Sequence, residues 1–393
     1  MQYIDFNYEE LNNKYNGEKN NFALLIDGSA LLTTKYYGNL SDEVKAEKDP
    51  DMQKLYYDTL LKAPDGRYTN AVFPMLMDIM KMIREQRPAY IVVAFDRSRN
   101  TFRKGVYDDY KAQRTPKPAP LGEQFKTMAE ILRRIGIKVY DSQNYEADDI
   151  VGSIAEHIKD EVPCALLTKD HDYLQLIDTN GSNQPVVCWM MQTSEARALR
   201  LNELYGEQEG APFGCYEFDD QICLFEEGVN PNQIPDKKGL SGDVADNIPG
   251  VKGIGEKASI TLLQQYPTLE DIYIDIDKRG ADIVNYWKNE CNISRANAIY
   301  KALTAEYDIT HIDGSIDHVK AKDMAYLSKN LATIVRTVNP NFKKETILTN
   351  INISEYQNIM KEFGFLDELQ RLENERQQEE TPIIAMYNDE PEL

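Results

Sequence analysis

The chain has 393 residues, 42% of them hydrophobic, with 44 Lys and Arg against 65 Asp and Glu and a formal net charge of −21. That length suits one large domain or two to three smaller ones, and the overall charge taken alone argues against a nucleic-acid partner, because a polyanion repels an acidic surface. Five Cys form no C-x-x-C pair and four His show no zinc-ligand spacing, so reduced thiols and a cytoplasmic location are expected.

Residues 1–20 are polar, have no signal-peptide stretch and read as an extension. "FALLIDG" (22–28) and "AYIVVAFD" (89–96) read as buried strands that end in Asp27 and Asp96. Between them, 41–66 is charged and broken by Pro50, Pro64 and Gly66, which suggests an insertion, and 71–87 is an amphipathic helix. Residues 97–120 are basic and Pro-rich, expected as a mobile loop or arch, and 121–135 form a helix. "IKVYD" (137–141) is a third strand and "CALLTKDHD" (164–172) a fourth, with "VVCWMM" (186–191) a further β segment. Between the third and fourth lies "QNYEADDIVGSIAEHI", a helical pattern opening on Glu146, Asp148 and Asp149. Residues 193–220 read as an insertion, helices dominate from about 256, and 373–393 is an acidic tail expected to be disordered. No run of about 18 apolar residues occurs, so no membrane partner is expected.

Strands alternating with helices imply an α/β fold with a mostly parallel sheet, whose sites form beyond the C-terminal strand ends. Asp27, Asp96 and Asp170 lie at such ends, the Glu146 helix follows another, and Asp172, Asp243 and Asp246 stand in later loops. Two carboxylates ~5 Å apart repel by about 3 kcal/mol at an effective dielectric near 20. Clustered groups must therefore be spread apart, or neutralised by protons or cations. Each piece has a plainer reading. Acidic residues at a helix start favour the macrodipole, Asp-Gly after a strand is a turn, and "TKDHD" is an ordinary loop. Joined, they suit oxygen-only ligation of two Mg²⁺ or Mn²⁺ ions.

Residues 97–138 carry eleven Lys or Arg and four Asp or Glu, so the stretch is about +7 inside an acidic protein. Arg103, Lys111 and Arg114 are interleaved with Phe102, Tyr107 and Tyr110. Such a mixture suits single-stranded or frayed nucleic acid, although a solvated charged loop has the same composition. "GDVADNIPGVKGIGEKAS" has Gly250, Gly253, Gly255 and Lys257 ahead of a helical run. The order G-x-x-G-x-G is not a dinucleotide fingerprint; it is a helix–hairpin–helix type of loop that can grip phosphate through backbone N–H groups, or a plain turn between helices.

Together "LLIDGS", "VVAFDRS…TFRKGVYDDYKAQRTP", "YEADDIVGSIA", "LTKDHDYLQL" and "LSGDVADNIPGVKGIGEKAS" resemble the 5′ nuclease family. That family spans the 5′→3′ exonuclease domain of bacterial DNA polymerase I, phage 5′ exonucleases and flap endonucleases. The resemblance covers about 21–373, with "MKEFGFLDELQRLE" similar to the end of the polymerase-linked form, and it implies a free-standing member. It implies a PIN-like catalytic domain at 21–192 with a helical arch at 97–120. A helix–hairpin–helix subdomain with C-terminal helices would follow at 221–372.

Asp27, Asp96, Glu146, Asp148 and Asp149 match first-metal ligands, and Asp170, Asp172, Asp243 and Asp246 match second-metal ligands, with Asp148 able to lie between them. Arg103, Tyr110, Lys111 and Arg114 match arch residues that hold the scissile phosphate and threaded 5′ strand. Arg97, Arg99, Lys104 and Lys117 join them as expected DNA contacts. Gly250, Gly253, Gly255 and Lys257 match the loop that grips the duplex, with K⁺ bound there. The implied partner is DNA with 5′ ends, nicks or flaps, RNA-primed strands included, and the implied state a monomer. His171 departs from the family's usual Lys, and Thr34, followed by Lys35, from its usual basic residue. Two other readings stay open. A PIN-like ribonuclease shares the carboxylate-ringed sheet but lacks the arch and glycine hairpin, and a non-catalytic binder of branched DNA would need no ligand set.

Overall fold

The computed structural model describes residues 7–47, 49–192, 194–208, 210–212, 214–338 and 343–380. Six strands form one sheet: β1 (Asn20–Asp27), β2 (Pro88–Asp96), β3 (Lys138–Ser142), β4 (Cys164–Thr168), β5 (Val186–Met191) and β6 (Cys215–Phe218). Their order is β3-β2-β1-β4-β5-β6, parallel throughout except for β6, which runs antiparallel to β5. The chain builds outward from β1 through β2 and β3, then returns to the other flank of β1 with β4. The reversal beside β1 is the switch point where such sheets open a crevice at their C-terminal strand ends.

β1 reads as an unbroken apolar run because both its faces are covered. Ala23 and Leu25 enter one core, Leu24 and Ile26 the other, and all four are fully buried. The first core receives Ile150, Val151, Ile154 and Ile158 of the helix Ala147–Ile158. The second is closed by the helices Gly28–Gly38, Val72–Gln86, Ala119–Arg134 and Ile353–Glu362. Each fully buried aliphatic side chain contributes about 1.5–3 kcal/mol, so these cores hold the strand ends rigidly beneath the site. Gly28, directly after β1, is required by a close approach: a Cβ there would lie 2.6 Å from both Phe95 and Val93 side chains.

Beyond β6 the chain is mainly helical. Ile234–Ser241 and Glu256–Leu263 are joined by the glycine loop, then Leu269–Arg279, Ile283–Asn289 and Ala296–Leu303 follow. Trp287, fully buried, donates to Tyr266 Oη at 2.7 Å and anchors this helical unit. An unforeseen antiparallel hairpin, β7 (Glu306–Thr310) and β8 (Ile316–Lys320), precedes the helix Ala321–Ala332. All five Cys are free thiols. No helix among the described residues is long and apolar enough to cross a membrane.

The structure adds to some of these expectations and corrects others. The polar start holds the helix Tyr8–Asn16, whose Leu11 and Tyr15 are buried, with Tyr15 edge-on to Tyr356 at 5.6 Å. Its two apolar positions are too few to stand out by periodicity, yet four residues apart they share one face. The 41–66 segment folds as Asp42–Ala46, Pro50–Leu55 and a short turn of helix, and 193–220 supplies the helix Glu195–Tyr205 and the sheet-closing β6. The last helices do not join the helical unit before them. Thr349 N–H donates to Ala89 O at 2.9 Å, and Ile353 and Ile359 pack in the second sheet core. Residues 373–380, expected as disordered tail, continue the helix Phe365–Glu380, and the remainder of that expectation lies outside the described residues.

Leu11→Ala should lower unfolding stability by about 2–5 kcal/mol, read from urea melts. A loss below about 0.5 kcal/mol, the level of a surface change, would show that residues 8–16 are a mere appendage.

Candidate functional site

Asp27 ends β1 and caps the next helix, accepting from Ala30 N at 2.9 Å and from Thr168 Oγ1 of β4 at 3.0 Å. Asp96 ends β2; its N–H donates to Ser29 Oγ at 2.9 Å and its carboxylate accepts from Ala147 N at the same distance. Asp96 thus fastens the start of the Ala147–Ile158 helix to the strand edge. Asp170 caps the turn after β4 by accepting from Asp172 N at 2.9 Å. The orienting partners Ser29 and Thr168 were not foreseen, and only the tertiary contact reveals them.

Burial pushes the Asp27 carboxyl up to about 7, and neighbouring Asp96 and then Asp170 add to the rise. Asp148 is raised well above the carboxylate range, by burial first and then by Asp149. Tyr173, fully buried beneath them, is raised by burial and by Asp27, Asp148, Asp96 and Asp170 together. Its phenol oxygen has no hydrogen-bond partner among the described residues. Carboxylates from three strand ends and one helix start therefore share one electrostatic neighbourhood, as the strand order requires.

Cations meet this cluster from two sides. Lys111 Nζ lies 2.6 Å from Glu146 Oε2 and 3.2 Å from Asp246 Oδ2. Burial opposes its charge, but Glu146, Tyr110 and Asp246 overcome that, so its pKa stands well above the ordinary value. Arg114 pairs with the other Asp246 oxygen. Tyr110, 3% exposed, donates between Glu146 at 3.2 Å and Asp246 at 3.3 Å. On the far side Lys238 bridges Asp172 and Asp243, the latter at 2.7 Å. Burial would raise Asp243; Lys238 more than offsets this, and its carboxyl lies below the usual range. Lys238 was missed because a lysine on the helix before an acidic loop carries no motif. Among the described residues no three Asp, Glu, His or Cys side chains are gathered into a ready-made cation cage. The two lysines now occupy that role as internal counter-ions.

Two expected site residues do something else. Arg103 is 1% exposed and forms a two-pronged pair with fully buried Asp149, both contacts at 2.7 Å. It also donates to Leu331 O at 2.9 Å and Thr333 O at 2.8 Å. Asp149 further accepts from Val335 N at 2.8 Å and from Glu146 N at 3.1 Å, so both its oxygens are used. Burial works against the Arg103 charge, and the Asp149 hydrogen bonds hold its pKa above the ordinary value. Asp149 is thus no free ligand, and Arg103 no reaching arch cation. The 97–120 segment, expected as a mobile loop or arch, holds the helix Phe102–Val106 and is tied at Lys111, whose N–H donates to Asp246 O at 2.9 Å, while residues 112–117 are exposed.

The remaining cations spread outward. Arg97 pairs with Asp141 at 3.2 Å, Arg99 donates to Thr115 O at 2.7 Å, and Lys104 donates to Asp108 O. Lys117 lies 3.9 Å above the Phe125 ring. A cavity of about 720 Å³ is lined by Asp96, Glu146, Arg99, Lys111, Arg114 and Lys117, joining the carboxylate cluster to the cationic segment. His171 turns away from the carboxylates to Glu227 at 2.6 Å and Arg197 at 2.9 Å, and Lys35 pairs with Asp78.

In the glycine loop, Gly250 has φ 63°, its N–H donates to buried Ser328 at 2.9 Å, and a Cβ would lie 2.2 Å from Gly242 N. Only glycine fits that crossing. Gly253 and Gly255 leave their backbone exposed, as is Lys257.

Two family models match the chain. One, described as the 5′–3′ exonuclease N-terminal resolvase-like domain, covers residues 22–206, and the other, the 5′–3′ exonuclease C-terminal SAM fold, covers 229–355. A 5′–3′ exonuclease of Mycoplasma pneumoniae is 31% identical over 257 residues, 65% of this chain and 76% of that one. DNA polymerase I of Caldicellulosiruptor bescii is 33% identical over 327 residues, 80% of this chain and 32% of that protein, so the chain spans about a third of that polymerase's length. A solved structure of T5 5′-exonuclease with bound zinc overlaps 86% of this chain and 98% of its own, with TM-score 0.49 and 15% identity.

Arg103→Ala should cost about 3–5 kcal/mol in a denaturant melt, since it strands Asp149 as a buried unpaired charge. Unchanged stability with activity lost would instead make Arg103 a substrate contact.

Proposed function

The chain belongs to the 5′–3′ exonuclease family, and on that premise we propose that it is a metal-dependent, structure-specific 5′ nuclease. Its substrate would be duplex, nicked or flapped DNA, cut near the 5′ end. The observation that carries this reading is that Asp96 and Glu146, two members of the carboxylate cluster at the strand ends, line one cavity together with Lys111 and Arg114. A phosphodiester is the anion that needs both halves.

The donor set fits hard divalent cations: it is oxygen-only, and a bound cation would offset both the burial and the neighbouring carboxylates that raise Asp27 and Asp148. Asp27, Asp96, Glu146 and Asp148 would hold one ion and Asp170, Asp172, Asp243 and Asp246 the other, with Asp148 able to serve both. Asp149 is left out, because Arg103 uses both its oxygens. Two Mg²⁺ or Mn²⁺ ions, when bound, would supply an activated water and stabilise the leaving 3′ oxygen.

This chain's own residues do the rest. Lys111 and Arg114, now paired with Glu146 and Asp246, would exchange those carboxylates for the phosphate and offset its developing charge. Tyr110 would keep Glu146 and Asp246 in place during that exchange. Arg99 and Lys117, which line the same cavity, would contact the 5′ strand. Gly253, Gly255 and Lys257, the exposed part of the glycine loop, would meet the duplex backbone, with K⁺ bound there, while Gly250 shapes the loop from within. The surface elsewhere can remain acidic, because phosphate meets only these two places. Action as a monomer in the cytoplasm, in primer removal, replication or repair, RNA-primed strands included, is part of the same reading.

Cleavage of labelled 5′-flap, nicked and blunt duplexes with Mg²⁺ or EDTA tests it directly. Asp148→Asn should abolish Mg²⁺-dependent cleavage while sparing flap binding, and full activity in that variant would sink the two-ion assignment. Lys111→Ala should lower kcat by about a hundredfold to a thousandfold. Single-stranded RNA cut in preference to flap DNA would favour a ribonuclease.

A further inference from the structure

The β7–β8 hairpin belongs to the helical unit but its tip reaches the cationic segment. There Asp109, 7% exposed and two residues before Lys111, meets His311 Nδ1 at 2.8 Å and accepts from Ile312 N–H at 3.2 Å. The other ring nitrogen, Nε2, lies 3.1 Å from Asp317 Oδ2 on β8. The Tyr107 ring packs against the imidazole at 5.9 Å. Both ring nitrogens therefore face carboxylate oxygens. A neutral imidazole has one N–H, and only the imidazolium donates to both.

Asp109 is held from the opposite side as well. Its carbonyl accepts from Asn247 Nδ2 at 2.7 Å, beside Asp246. Lys111 itself has φ 53°, a left-handed conformation that a residue with a Cβ keeps only when outside contacts enforce it. The hairpin contact and the Asp246 loop contact are those constraints, one on each flank of the turn.

We propose that the β7–β8 hairpin is a positioning element: His311, through Asp109, holds the Tyr107–Arg114 turn so that Lys111 and Arg114 meet the phosphate, and it does so fully only as an imidazolium. This rests on the 5′ nuclease reading above. Among the described residues the titratable groups facing His311 are Tyr107 and Asp109 from the cationic segment and Asp313 and Asp317 from the hairpin. The hydrogen bonds to Asp109 and Asp317 raise its pKa above the ordinary 6.5. The clasp is complete below that raised value and loses one of its two donors as pH rises through it.

The test compares the Mg²⁺-loaded full chain with His311→Asn, which keeps one donor, and with Asp317→Asn. Cleavage of 5′-flap DNA is followed from about pH 6 to about pH 9, across the range where imidazoles titrate. At the acid end His311→Asn should lower kcat about tenfold with KM within about twofold. The wild-type to variant ratio should fall toward one as pH rises. In Asp317→Asn that fall should move to lower pH. A ratio that stays flat with pH, or equal kcat at the acid end, overturns the proposal. Amide hydrogen exchange on the same samples gives a reading free of catalysis. Protection at residues 109–114 should drop in His311→Asn at the acid end, and unchanged protection overturns the clasp. If the wild type cuts no 5′-ended DNA, the nuclease reading fails, and exchange alone still decides the clasp.

Discussion

The Arg103–Asp149 pair is the contact on which the site depends. Two parallel hydrogen bonds at 2.7 Å join a guanidinium and a carboxylate that are almost wholly out of water. Each charge alone would be intolerable there; together, with Leu331, Thr333, Val335 and Glu146 satisfying the remaining donors and acceptors, they make one connected polar unit. The pair joins three parts of the chain: the start of the cationic segment, the first turn of the Ala147–Ile158 helix, and the chain after the Ala321–Ala332 helix. Geometry at the carboxylate cluster follows from that junction. Asp149, tied down, fixes the capping box with Glu146, and Glu146 fixes Lys111 and Tyr110.

Charge balance then explains the arrangement of the cations. Burial first, and neighbouring carboxylates second, oppose ionisation of Asp27 and Asp148. Lys111 with Arg114 on one side and Lys238 on the other supply part of the compensation from within the chain. These ion pairs are also the contacts that a phosphate and its counter-cations would exchange with. The protein's acidity elsewhere is no obstacle to such a substrate, because the compensation is local, and Lys111 and Arg114 line an open cavity of about 720 Å³ beside Asp96 and Glu146.

The cationic segment shows how one stretch divides its labour. Arg103, Tyr110, Lys111 and Arg114 sit within twelve residues, yet Arg103 is a buried fastener and Arg114 keeps a half-open side chain. Tyr110 orients, and Lys111 bridges two carboxylates from a left-handed backbone. The left-handed turn at Lys111 is held by Asp246 on one flank and by the β7–β8 hairpin on the other.

Much of this was legible in the residues themselves. Apolar runs such as "FALLID" and "YIVVAF" mark central strands because burial on both faces leaves no polar position. Their terminal Asp residues mark the edge where a parallel sheet opens. The glycine loop was legible as a loop; that Gly250 serves a tight backbone crossing against Gly242, instead of an exposed phosphate contact, was not. The helix Tyr8–Asn16 and strand β6 were not, because a short element with two or three buried side chains has no periodicity above background. Nor could spacing separate Asp149 from Asp148. They are adjacent on one helix turn, and which one meets a guanidinium depends on where Arg103 arrives from 46 residues away. Lys238 and His311 likewise acquire their roles from chain brought near by folding. Local composition and periodicity determined the sheet, its acidic edge and the glycine loop, since those rest on short-range sterics and burial. Only the tertiary structure decided which charges pair with each other and which remain for a substrate, because ion pairing depends on distances that sequence separation does not contain.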